Sequence, residues 1–172
     1  METDGCEIGD CEEGDIDQII AIERDAFPTP WSENIFRGEI ASPLSRLRVA
    51  REGGDRRGAV LGYAVTWRVA DEIHLHNIAV RRDRRRQGIG SRLLGEAMGR
   101  SRSEGARWMT LEVRRTNDAA QRFYQKFGFS CRGVRPGYYT DTGEDALILW
   151  TDLCPVPVAE SALRAIGEGD DG

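Results

Sequence analysis

The chain has 172 residues, a formal net charge of −5, 40% hydrophobic residues and 31% charged residues. This length and composition predict one globular domain with a single core. The negative charge argues against general nucleic-acid binding, and no apolar run approaches the roughly twenty residues of a membrane span. The four cysteines form no C-x-x-C pair and only two histidines are present, so neither a disulfide scaffold nor a zinc site is expected.

The N-terminal part of the chain predicts one short strand and two helices. Residues 1–14 are acidic, with a strand expected at 6–8, and they lack the basic and apolar regions of a signal peptide, which favours the cytoplasm. Asp15 and Gln18 have the spacing of a capping box ahead of a helical stripe that ends at Pro28. Ser32 is expected to cap the second helix.

Changes in hydrophobic periodicity predict the remaining elements. Strands are expected over 47–51, 60–69, 72–80, 107–114, 129–134 and 146–153. Helices are expected over 91–104 and from Asn117 or Asp118 to Gly128. Residues 154–172 form a tail with a short helical stretch over 159–166 and an acidic end expected to be disordered. The order ααβββαβαββ, with one strand in front, predicts a mixed sheet flanked by helices in a single domain over 15–153.

One stretch combines the end of a strand, a cationic turn, two glycines and the start of a helix. It comprises Arg85, Arg86, Gln87, Gly88, Ile89, Gly90 and Ser91. Unpaired N–H groups and the positive end of the helix dipole suit an anionic phosphate, and the arginines can add charge-assisted hydrogen bonds. The third glycine of a dinucleotide fingerprint and the Gly-Lys-Ser/Thr of a P-loop are both absent. The alternative is a solvated basic turn that caps a surface helix.

Two further side chains stand out as candidates for acid–base chemistry. Glu112 is acidic in an otherwise apolar strand, and the alternative is a strand-edge carboxylate paired with Arg114 or Arg132. Tyr124 lies in the middle of a helix among phenylalanines, and the alternative is core packing.

The two histidines alternate along one predicted strand. His74 and His76 therefore point to the same face and could begin a metal site. Partly buried or surface histidines are the commoner case, and no metal is expected.

The glycine loop resembles the acyl-CoA pyrophosphate loop of the GNAT N-acetyltransferase superfamily, Gln/Arg-x-x-Gly-x-Gly/Ala. Other segments follow in the order and spacing of a GNAT domain: Asn77-Ile78-Ala79-Val80, Leu111-Glu112-Val113-Arg114 and Asn117-x-x-Ala120-x-x-x-Tyr124-x-x-x-Gly128-Phe129. Further segments are similar to the ribosomal-protein-alanine N-acetyltransferase (RimI-type) branch: Tyr138-Tyr139, Glu144-Asp145-Ala146 and, with two additional residues, Phe27 to Ser32. The resemblance covers roughly residues 16–153.

The resemblance implies an α/β fold of the α+β type, the GNAT fold. Its sheet would be mixed, mostly antiparallel and splayed, with about six to seven strands and about four flanking helices. It also implies transfer of acetyl from acetyl-CoA to the N-terminal α-amine of an alanine-first protein, a small-subunit ribosomal protein, by direct attack in a ternary complex. Glu112 would be the general base, working through water, and Tyr124 the general acid.

The same resemblance assigns the binding residues. Acetyl-CoA would be held by Ile78, Ala79, Val80, Arg85, Arg86, Gln87, Gly88, Ile89, Gly90, Ser91 and Asn117. Trp31, Tyr138 and Tyr139 would frame a groove for a peptide N-terminus, or alternatively form hydrophobic lids over the core.

Three other functions are weighed against this one. The same fold could acetylate a lysine side chain or a small amine, since the donor site is clearer than the acceptor site. A non-catalytic acyl-CoA sensor would be expected to lack the base or the acid, whereas both are present. A nucleic-acid module rests only on the arginine run at 81–86, without aromatic interleaving or net positive charge.

Overall fold

The computed structural model describes residues 5–53 and 56–153, and over these residues it contains seven strands and four helices. The strands are β1 (Cys6–Asp10), β2 (Ser45–Glu52), β3 (Val60–Val69), β4 (Glu72–Val80), β5 (Trp108–Arg114), β6 (Ser130–Tyr139) and β7 (Glu144–Asp152). The helices are α1 (Ile16–Ala26), α2 (Glu33–Ala41), α3 (Ile89–Ser103) and α4 (Asp118–Gln125). The predicted helical stretch at 159–166 lies outside the described residues, as does the rest of the tail.

All seven strands form one sheet in the order β1-β2-β3-β4-β5-β7-β6. Neighbouring strands are antiparallel except β4 and β5, which are parallel, so the expected mixed and mostly antiparallel sheet is confirmed. One face is covered by α3 and α4 through residues such as Leu94 and Tyr124. The other face is covered by α1 and α2, where Ile19 and Phe36 are fully buried. No helix within the described ranges is long and apolar enough to cross a membrane.

The predicted capping box at α1 is wrong. Asp15 does precede the helix, but its carboxylate accepts the Glu12 N–H at 2.7 Å and pairs with buried Arg51. A capping box is present, but it joins Glu12 and Asp15 around the 3₁₀ turn Glu13–Asp15, which directly precedes α1. Gln18 instead accepts the Val60 N–H at 2.9 Å and ties α1 to β3. Long-range partners therefore outcompete the local cap.

The other helix starts follow the sequence more closely. Ser32 occupies the N-cap position of α2 without making a side-chain cap bond. Asn117 caps α4, with its side-chain oxygen accepting the Ala120 N–H at 3.1 Å. The third helix begins at Ile89, two residues before the predicted start, because Gly88 in the left-handed region already serves as its N-cap.

The sixth strand is longer than predicted. Pairing with β7 continues to Tyr139 through register shifts between Cys131 and Gly133 and between Arg135 and Tyr139. Irregularities of this kind let an edge strand pass a proline without ending. The two adjacent tyrosines of the sequence therefore lie at the end of a strand, beside the turn into β7.

Candidate active site

The sheet opens between β4 and β5. The two strands pair at only three positions: Glu72 with Trp108, Ile73 with Met109 and His74 with Thr110. Beyond these pairs, the edge of β4 that faces β5 has no strand partner in the described chain, while its other edge pairs with β3. Such an edge presents N–H and C=O groups to which an extended ligand can add as a further strand. Ile78, Ala79 and Val80 lie on this open stretch.

The position of β4 depends on a glycine in the neighbouring strand. A Cβ at Gly62 would lie 2.7 Å from the Ala79 carbonyl oxygen and 3.2 Å from Cδ1 of Leu93. Any side chain at residue 62 would therefore push β4 away from β3 or deform the packing beneath it. No role was predicted for Gly62 from the sequence, although an isolated glycine in a strand pattern often marks a close backbone approach.

The loop after β4 turns its backbone through two residues with positive φ. Arg86 has a φ of 62° and Gly88 a φ of 79°, directly before α3 begins. Left-handed residues in such turns gather successive N–H groups into a concave surface that binds anions, and the dipole of α3 adds to it. A non-glycine residue in the left-handed region is uncommon and typical of functional sites. This geometry suits the predicted phosphate site.

Carboxylates neutralise most of the arginine run at 81–86. The pairs are Arg81–Asp83, Arg84–Glu52, Arg82–Asp25 and Arg85–Asp25. Arg86 is the member of the run for which the described residues show no ion pair. The local positive patch expected from the sequence is therefore largely compensated. For the predicted phosphate site, this leaves the backbone N–H groups and Arg86 as the expected anion-binding groups.

The remaining predicted loop residues occupy different environments. Ile89 is buried in the core, whereas Ser91 is exposed on the first turn of α3. Gln87 donates from its amide to the Asp83 carbonyl at 3.4 Å. A Cβ at Gly90 would lie 3.6 Å from Val80 Cγ2, an ordinary contact, so this position tolerates a methyl group.

Glu112 lies on β5, on the other side of the opening from Ile78 to Val80. Its side chain is 22% exposed, and its carboxylate lies 3.4 Å from Nε of Arg135 on β6. An ion pair is thus present, but its partner is neither Arg114 nor Arg132, the two candidates from the sequence. The partner was missed because Arg135 lies two strands away, across β7.

His76, on β4, lies near this carboxylate. The ring of His76 packs 4.6 Å from that of Trp67 and stacks 6.0 Å from that of His74. Burial, followed by the nearby His74, lowers the pKa of His76, while Glu39 and Glu112 oppose the shift. Within the described ranges, no group of three or more His, Cys, Asp or Glu side chains is arranged to hold a metal.

Tyr124 lies on α4 and is 8% exposed. Its ring packs edge-on against Phe123 and Phe129, with centroid distances of 5.2 and 5.6 Å. The packing alternative is therefore observed. Burial, reinforced by Tyr139, raises the pKa of Tyr124, so its phenol holds a proton at neutral pH. Burial thus makes Tyr124 a weaker acid than an exposed tyrosine, and its proton-donor role stays a prediction.

The predicted groove residues differ in exposure. Trp31, in the loop between α1 and α2, packs 5.6 Å from Phe36, as a lid over the core would. Tyr138 is 46% exposed, which suits a groove wall. Tyr139 is half-buried, and the Arg114 guanidinium lies 3.9 Å from its ring centroid. Burial raises the pKa of Tyr139 to about 12.

The loop between α1 and α2 meets the turn between β6 and β7. Thr29 donates a hydrogen bond to Asp141 at 3.1 Å, and Arg114 donates to the same carboxylate at 2.7 Å. The Arg114 hydrogen bond lowers the pKa of Asp141 and keeps it ionised. These contacts join the loop between α1 and α2 to the end of β5 and to the turn between β6 and β7.

Residues 16–129 match the sequence model of the Acetyltransferase (GNAT) family. A Bacillus subtilis (strain 168) protein, provisionally named as a ribosomal protein bS18-alanine N-acetyltransferase, is 37% identical over 140 residues, covering 81% of this chain and 90% of the relative. The ribosomal protein bS18-alanine N-acetyltransferase of Escherichia coli (strain K12) is 34% identical over 144 residues, covering 83% and 94%.

A solved structure gives the same result. The crystal structure of the ribosomal-protein-S18-alanine N-acetyltransferase from Escherichia coli superimposes with a TM-score of 0.78 and 31% identity, covering 90% of this chain and 97% of that one. Because the family model spans more than half of the sequence, the chain belongs to the GNAT family of acetyltransferases.

Proposed function

We propose that this protein transfers the acetyl group of acetyl-CoA to the N-terminal α-amine of an alanine-first protein, with a small-subunit ribosomal protein as acceptor. Two relatives that share 34% and 37% of their aligned residues with this chain are named for acetylation of ribosomal protein bS18. Such an acceptor puts the enzyme in the cytoplasm, beside newly made ribosomal proteins.

The observation that carries the proposal is the opening in the sheet. It leaves one edge of β4 without a strand partner, and Glu112 lies on β5, the strand that borders the opening on its other side. Acyl transfer to an amine needs such an arrangement, because the thioester and the base must both lie within reach of the attacking amine.

The donor fits the residues along this opening. Acetyl-CoA supplies an acetyl thioester, and its pantetheine arm would lie as a further strand beside Ile78, Ala79 and Val80. The turn with positive φ at Arg86 and Gly88 suits its pyrophosphate. Asn117, at the start of α4, would bind the pantetheine arm or a nearby water.

Glu112 and Tyr124 divide the proton transfers. Glu112 accepts the proton of the acceptor ammonium group through a water, which leaves a neutral amine able to attack the thioester carbonyl directly. Tyr124, whose burial keeps its phenol protonated, gives a proton to the departing thiolate. The N–C bond forms as the C–S bond breaks, and the thiolate leaves as a thiol. The nitrogen gives its second proton to water and the Tyr124 phenolate regains a proton from water, so no acyl-enzyme is needed.

Mass spectrometry of three acceptors tests the proposal. The set is an alanine-first peptide of ribosomal type, an N-terminally blocked copy with an internal lysine, and a small polyamine, each incubated with enzyme and acetyl-CoA. Acetylation confined to the free alanine α-amine is expected. Acetylation of the blocked peptide or the polyamine alone would keep the fold and donor but refute the acceptor. Bound acetyl-CoA with no transfer would indicate a sensor.

A further inference from the structure

A buried glutamate connects the loop between α1 and α2 to the strand that borders the opening. Glu23, on α1, is 1% exposed, and burying a carboxylate is costly unless donors satisfy it. Its Oε1 accepts the backbone N–H of Trp31 at 2.8 Å. Its Oε2 accepts the phenol of Tyr63 and the amide of Asn77, the latter at 3.0 Å. Within the described residues Glu23 has no salt bridge, so neutral donors alone hold it.

The three donors come from parts of the fold with different tasks. Asn77 lies on the open stretch of β4, directly before Ile78, and at a register shift, where Val65 pairs with Asn77 and Thr66 with Leu75. Trp31 belongs to the loop that meets the turn between β6 and β7. Tyr63 lies in the middle of β3 and supports α2 from below, with its ring 5.5 Å from that of Phe36.

We propose that Glu23 is a positioning residue. It fixes Trp31 in the loop between α1 and α2, here called the acceptor loop, relative to Asn77 in β4, here called the donor strand. This inference rests on the proposed function, which gives the two segments their acceptor and donor roles. Glu23 does not contact the reacting atoms. It acts by holding the Trp31 loop at one distance from the opening, so that an acceptor amine meets the base and the thioester together.

The Glu23→Gln variant should break the contact with the loop at Trp31 and keep the contacts with Tyr63 and Asn77. A glutamine presents one acceptor oxygen and one NH₂ group. Turning its oxygen to the Trp31 N–H would require both the Tyr63 hydroxyl and the Asn77 amide to reverse, so the orientation that leaves these two donors as they are is favoured. Directing the oxygen at Tyr63 and Asn77 keeps two bonds, which leaves the NH₂ group facing the N–H of Trp31. The acceptor loop is therefore released while the donor strand stays in place.

Glu39→Gln serves as the matched control. Glu39, on α2, is 7% exposed and accepts the Trp67 indole N–H at 2.6 Å. The change removes the same charge from a similarly buried site, and the glutamine oxygen can keep that bond. It touches neither Trp31 nor Asn77.

Three measurements test the inference. Glu23→Gln should raise the KM for the acceptor peptide roughly tenfold, as loss of one buried hydrogen bond predicts. The acetyl-CoA dissociation constant, from calorimetry, should change by less than about twofold. Chymotrypsin should cleave after Trp31 several times faster in Glu23→Gln than in Glu39→Gln, in which KM stays at the wild-type value.

Two results would overturn the inference: equal KM values and cleavage rates in both variants, or a rise in the acetyl-CoA dissociation constant as large as the rise in KM. Wild-type transfer to the alanine-first peptide tests the proposed function separately. If the wild type acetylates another amine, KM is measured for that amine. If it acetylates none, the cleavage rate after Trp31 decides.

Discussion

Replacing Gly62 with alanine should destabilise the protein and weaken donor binding at the same time. The added Cβ would lie 2.7 Å from the Ala79 carbonyl oxygen, closer than the 3.0 Å limit that real Cβ atoms respect. The neighbour is backbone held in the sheet, so relief requires a shift of β4 itself. Overpacking of this kind costs about 1–3 kcal/mol, which in a domain of this size lowers Tm by roughly 3–10 °C.

Because Ala79 lies on the proposed donor strand, the shift should also weaken acetyl-CoA binding. A roughly tenfold rise in the dissociation constant, about 1.4 kcal/mol, is expected by calorimetry alongside thermal unfolding followed by circular dichroism. Gly99→Ala is the control, since a Cβ there meets no atom within 4 Å and should stabilise α3 by about 0.5–1 kcal/mol. A Gly62→Ala protein with wild-type stability would refute the steric reasoning. Lost stability with unchanged acetyl-CoA affinity would refute the link to the donor.

Three further predictions concern proton transfer and pH. Glu112→Gln should lower turnover at neutral pH by about 100-fold while acetyl-CoA binding stays intact; an equal loss of binding would make Glu112 structural. Tyr124→Phe should lower turnover by about 100-fold with an unchanged circular dichroism spectrum, and a wild-type rate would remove Tyr124 from the mechanism. His76 has a folded pKa below the ordinary 6.5, so the unfolded chain binds more protons and stability should fall as pH drops through that value. In His76→Gln this fall, measured by urea unfolding at pH 7.5 and 5.5, should be smaller; matching pH profiles would contradict the assignment.

The sequence predicts regular segments better than their ends. The predicted bounds of β3 and β4 agree with the structure because alternating side chains and flanking turns are local signals. The start of α3 was placed two residues late, since the left-handed conformation of Gly88 depends on how the loop closes against the sheet. Asp15 illustrates the same limit: its predicted helix cap gave way to Arg51, a partner from a distant strand.

The sequence by itself determined the order of strands and helices, the glycine loop at a helix start and the presence of a glutamate and a tyrosine at family spacing. These are local patterns that one segment carries alone. Tertiary structure decided where β4 leaves β5, which strand supplies the arginine beside Glu112, and that Asp25 neutralises part of the arginine run. It also decided that the Glu23 carboxylate binds three separate segments, at Trp31, Tyr63 and Asn77. Periodicity specifies which face a side chain occupies, whereas its partner depends on how distant segments are brought together by burial of the core.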